Sequence, residues 1–104
     1  MNHDIITTLR AVIAGRVGSD PATSYTASLL AGGVERAGKK FAEEAAETLI
    51  AAVAGRRAQV VTESADLLYH WLVLLQVCDV SWDDVLAALQ QRTGTSGHTE
   101  KASR

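Results

Sequence analysis

The sequence predicts an all-α protein on three observations. Apolar residues recur at helical rather than alternating spacing, only one proline interrupts them, and glycine or serine stands where one periodic segment gives way to the next. Four to five helices follow, in a chain of 104 residues whose 47% apolar content suits a single globular domain over 1–104. A chain this short buries a modest share of its surface, so a helical bundle completed by a second copy, a homodimer, is expected.

The first helix covers about 4–14, with Ile5, Leu9, Val12 and Ile13 at helical spacing, and Gly15, Gly18, Ser19, Asp20 and Pro21 end it. A second runs from about Thr23 to Ala31, opening on the polar Ser24-Tyr25-Thr26. It stops at Gly32-Gly33 because glycine accepts the left-handed angles of a helix end. From Val34 to Ala54 the strong helix formers Ala, Glu and Lys dominate, with Gly55 at the capping position. A fourth helix spans about Gln59 to Cys78. The last begins near Ser81, whose hydroxyl suits the amide three residues on, while Asp83 and Asp84 complement the positive helix end; it closes near Arg92. The tail, 93–104, holds too little apolar material to join a core and is predicted to be flexible, or ordered by a ligand.

Ten basic residues against twelve acidic ones give a formal charge of −2, which excludes the broad basic field of a nucleic-acid-binding protein. Cys78 has no second cysteine, so neither a disulfide nor a cysteine-based zinc site is available, and a reducing cytoplasm fits. The most apolar stretch, Ala65 to Cys78, is interrupted by Asp66, His70 and Gln76, so no membrane span is expected.

The chemistry is carried by carboxylates. On the third helix Lys40, Glu43, Glu44 and Glu47 share an arc about 100° wide, opposite a packed stripe of Phe41, Ala45, Leu49 and Ala52. Like charges one turn apart repel, so the grouping adds no helix stability and calls for a cation. On the fourth helix Glu63, Asp66 and His70 line one narrow strip of a segment apolar on nearly every side. Such a helix is usually buried, and a buried unpaired Asp66 costs several kcal/mol unless a cation or donors meet it. If the two long helices pack antiparallel through the short 55–58 connection, four carboxylates converge in an all-oxygen site that suits Mg²⁺ or Mn²⁺ better than Zn²⁺. A hydrated cation of this kind is completed by phosphate oxygens, and Glu43 or Glu44 is placed to take the proton of an attacking water. His70 has no second histidine at ligand spacing and reads as a core histidine bonded to a neighbour or to Asp66. Phe41, Trp71 and Trp82 read as packing residues.

With Glu44-x-x-Glu47, fifteen intervening residues and Glu63-x-x-Asp66, the chain resembles the all-α nucleotide pyrophosphatases, the MazG-like superfamily that includes the dimeric dUTPases. Ser24-Tyr25-Thr26, Lys40-x-x-Glu43-Glu44-x-x-Glu47, Glu63-x-Ala65-Asp66-Leu67-Leu68-Tyr69-His70 and Arg92-x-Gly94-x-Ser96-Gly97-x-x-Glu100-Lys101-x-x-Arg104 together resemble the phosphoribosyl-ATP pyrophosphatases of histidine biosynthesis. The resemblance implies a MazG-like bundle and Mg²⁺-dependent hydrolysis of phosphoribosyl-ATP to phosphoribosyl-AMP and pyrophosphate, the second step of that pathway. It further implies Glu44, Glu47, Glu63 and Asp66 as the metal set, with Lys40, Ser96, Lys101 and Arg104, joined by Ser24 and Thr26, on the substrate. Two other readings stand beside it: a MazG-like enzyme acting on ordinary nucleoside triphosphates, and a helical dimerisation module whose acidic stripe is merely solvated.

Overall fold

The structure, a computed structural model, describes residues 4–94. Within them the chain forms α1 (Ile5–Gly15), α2 (Tyr25–Ala31), α3 (Gly33–Val53), α4 (Arg57–Val77) and α5 (Trp82–Thr93), and no strand occurs among the described residues. Every predicted helix is present, with ends displaced by at most two residues. The predicted tail, with Ser96, Lys101 and Arg104, lies outside the described residues apart from Thr93 and Gly94.

Local chemistry explains the boundaries. Ser24 Oγ accepts from the Ala27 amide at 3.1 Å and starts α2, and Ser81 Oγ accepts from the Asp84 amide at 3.4 Å and starts α5. Gly55, at φ +71°, takes the left-handed conformation just past α3, which lets the chain reverse into α4 within three residues, Ala54 to Arg56. Asp79 does the same past α4 at φ 56°, a role a short polar side chain tolerates and that the sequence signals far less clearly than a glycine.

Helices α3 and α4 fold back on one another as a long hairpin, and α1 and α2 lie against it. Ile13, Leu29, Ala37, Leu72 and Val73 form the buried centre, with Tyr69, Trp71, Leu75 and Trp82 packed around it. Trp71 and Trp82 meet edge to face at 5.6 Å, and the Arg10 guanidinium lies 5.4 Å from the Trp82 ring centre, so both tryptophans serve packing as predicted.

Two sequence expectations are corrected. The stripe of Phe41, Ala45, Leu49 and Ala52 is not a packed face throughout, since Leu49 is 64% exposed and Ala52 is exposed too. Nor is α4 buried along its length; its buried residues are His70, Leu72 and Val73. The physical reason is common to both. The hairpin has two apolar sides and the short helices α1 and α2 cover only one, leaving Leu49, Ile50, Val53, Val61 and Leu68 uncovered. No helix among the described residues is long and apolar enough to cross a membrane.

Candidate metal centre

The reversal at Gly55 sets the Glu44 turn of α3 against the Glu63 and Asp66 turn of α4. One carboxylate oxygen from each of Glu44, Glu63 and Asp66 lies within 4.8 Å of the other two. Glu44 Oε2 and Glu63 Oε2 are shut off from solvent and have no hydrogen-bond partner. Two orphaned anionic oxygens pressed together are costly, and a divalent cation of hard, oxygen-seeking type removes that cost.

Glu47 reaches the same place by another contact. The Glu63 carboxyl is pushed up to about 7 from its ordinary 4.5, first by the hydrogen bond its protonated form would donate to Glu47, then by burial and by the charges of Glu47 and Glu44. Of the four sequence-predicted metal residues, Glu44, Glu63 and Asp66 are brought together, while Glu47 bears on the cluster through its effect on Glu63. Asp66, however, is exposed, so it is not the buried charge that the apolar run around it suggested. The orphaned atoms belong to Glu44 and Glu63 instead.

The raised Glu63 pKa has a definite sign in stability. The folded chain holds this proton more tightly than the unfolded one, so Glu63's contribution is full below pH 4.5 and is lost as pH rises toward 7. Thermal melts in a chelator are thus expected to show the wild type losing stability relative to Glu63→Gln between pH 5 and pH 8. Parallel curves for the two proteins would refute the coupling.

Glu43 stands apart from Glu44. It pairs with Lys40 at 3.3 Å, and the Lys40 ammonium is held above its ordinary range first by this hydrogen bond, then by the Tyr25 phenol and the Glu43 and Glu44 charges. Of the two hydroxyl residues predicted on the substrate, Ser24 caps α2 and Thr26 shares a hydrogen bond with the Tyr69 hydroxyl. Ser24 Oγ accepts, so its own hydrogen remains available to a phosphate oxygen.

Sequence reasoning did not single out Tyr25. Its ring stacks on Tyr69 with centroids 6.5 Å apart, and its hydroxyl lies 3.0 Å from His70 Nε2. His70 is the buried histidine that the sequence suggested, with Nδ1 2.7 Å from the Asp66 backbone oxygen. The signal was present as two aromatic-polar clusters, Ser24-Tyr25-Thr26 and Tyr69-His70, but their pairing depends on α2 docking against α4.

Known proteins point the same way as this geometry. The sequence model of the phosphoribosyl-ATP pyrophosphohydrolase family matches residues 6–93. A phosphoribosyl-ATP pyrophosphatase from Ruegeria pomeroyi is 54% identical over 100 residues, covering 96% of this chain and 95% of its own. One from Dinoroseobacter shibae is 52% identical over 96% of this chain and 98% of its own. One from Parvibaculum lavamentivorans is 57% identical over 93 residues, covering 89% and 85%. With the match running from the first turn of α1 to the end of α5 and including the α3–α4 hairpin that carries the acidic cluster, the chain belongs to the phosphoribosyl-ATP pyrophosphohydrolase family.

Proposed function

We propose that this protein hydrolyses phosphoribosyl-ATP to phosphoribosyl-AMP and pyrophosphate in histidine biosynthesis, with Mg²⁺ as its cation and Mn²⁺ as a substitute. The observation that carries the reading is the pair of buried, unpartnered oxygens on Glu44 and Glu63 inside a three-carboxylate cluster. A bound Mg²⁺ would neutralise polyphosphate charge and acidify an attacking water. Glu44, Glu47, Glu63 and Asp66 hold the ion. The base for the water is drawn from Glu43 and Glu44, neighbours in sequence on α3.

Lys40 supplies a cation one turn from Glu44 for a phosphate, a point charge already fixed in place by Glu43. Ser96, Lys101 and Arg104 are proposed to complete the grip on the phosphates, and Ser24 and Thr26 to border it at the start of α2. A second copy covers the apolar side of the hairpin, where Leu49, Ile50 and Val53 on α3 and Val61 and Leu68 on α4 stand between 44% and 81% exposed. The cytoplasm is the proposed compartment, in which the exposed thiol of Cys78 stays reduced.

Pyrophosphate release from phosphoribosyl-ATP, ATP, dUTP and dCTP, each with and without Mg²⁺, tests the proposal. Turnover of phosphoribosyl-ATP that requires the metal is expected. Turnover of the ordinary triphosphates but not of phosphoribosyl-ATP would transfer the site to a MazG-like activity, and no metal-dependent turnover of any of them would leave only a helical module.

A further inference from the structure

His70 is 6% exposed, yet both of its ring nitrogens are engaged. Nδ1 lies 2.7 Å from the Asp66 backbone oxygen, and a carbonyl oxygen can only accept, so Nδ1 bears the hydrogen. In the neutral ring Nε2 then has only a lone pair to offer, and the Tyr25 hydroxyl, 3.0 Å away, donates to it. The bonds therefore run in one direction, from Tyr25 O–H to His70 and from His70 N–H to the peptide of Asp66. Asp66 is one of the three residues whose carboxylates gather on the hairpin.

The Tyr25 ring, though half exposed, is held along one side. It stacks on Tyr69, which meets His70 edge to face at 4.9 Å and is tied to Thr26 by its hydroxyl. Two cross-helix hydrogen bonds and a ring stack thus fix the start of α2 against the turn of α4 that presents Asp66. A group that orients a metal ligand from behind it sets metal affinity, and its loss commonly costs about 10–100-fold.

We infer that Tyr25 is a positioning residue for the metal centre, acting through His70 on the Asp66 turn. The inference rests on the proposed metal role of the carboxylates, so its test needs no substrate. Mn²⁺ alone is titrated into the whole chain by calorimetry or electron paramagnetic resonance, with thermal melts alongside. Tyr25→Phe keeps the ring stack and removes only the hydroxyl; it is expected to weaken Mn²⁺ binding about 10-fold with the melting temperature of the metal-free protein little changed. His70→Ala should weaken binding at least as much. His70→Gln, whose side-chain oxygen can accept from Tyr25, should recover most of the affinity, and adding Tyr25→Phe to it should abolish that recovery.

Wild-type Mn²⁺ affinity in Tyr25→Phe would overturn the inference. So would a loss of affinity that only follows a fall in melting temperature and that His70→Gln does not recover. If wild type turns over phosphoribosyl-ATP while Tyr25→Phe binds Mn²⁺ normally, the positioning role fails and the enzymatic reading stands. If wild type binds no Mn²⁺ at all, the metal reading falls and this inference with it.

Discussion

Glu44→Gln is expected to lower metal-dependent pyrophosphate release from phosphoribosyl-ATP by about 10²–10⁴-fold, the range over which a metal-holding or proton-accepting carboxylate acts. The same substitution should raise the melting temperature of the metal-free protein by a few degrees. Both effects come from one cause. Glu44 Oε2 is buried beside Glu63 and Asp66 without a partner, so the wild-type chain places a carboxylate oxygen where nothing in the protein meets it. An amide of the same shape removes the repulsion and with it the anionic ligand. A variant that loses activity and stability together would mark Glu44 as a folding residue, and one that keeps activity would remove it from the site.

The second large effect lies on the other side of the hairpin. Ile50 is 67% exposed in the single chain, where a change to glutamate should move stability by no more than about 0.5 kcal/mol. If a second copy covers it, the same change places an unpaired carboxylate in an apolar interface at a cost of several kcal/mol. Ile50→Glu is therefore expected to sediment as a monomer where the wild type sediments as a dimer, and to melt at a lower temperature. A difference of that size separates the two cases without ambiguity. Equal sedimentation and equal melting would show the face to be simply wet.

These expectations draw on what was legible in the sequence and on what was not. Helix positions were legible because they rest on local chemistry: Ser24 and Ser81 cap, Gly55 reverses the chain, and Ala, Glu and Lys fill α3. The acidic cluster was legible for a related reason. Two helices joined by three residues have little freedom in register, so residues placed about equally far from the turn must face each other.

Burial was the harder quantity. The residues of α4 from Ala65 to Leu75 are apolar in nearly every direction, and periodicity then says nothing about which direction is covered. The run suggested a buried Asp66, whereas the covered side holds His70, Leu72 and Val73 and leaves Asp66 in the open. The Tyr25 to His70 bond was out of reach for the same reason, because residues 45 positions apart meet only when α2 docks.

Gly55 has one more consequence, and it concerns time rather than shape. The cluster residues Glu44, Glu63 and Asp66 all belong to a stretch of 23 residues folded about that single reversal. Contacts so near in sequence are expected to close before α1 and α2 find the hairpin, because they cost less loop-closure entropy. The acidic residues would then meet while the rest of the chain is still loose, and whatever quiets them, a proton on Glu63 or a divalent ion, would act on the first structure to form. On that order, the chemistry of the site and the first step of folding would share one set of atoms.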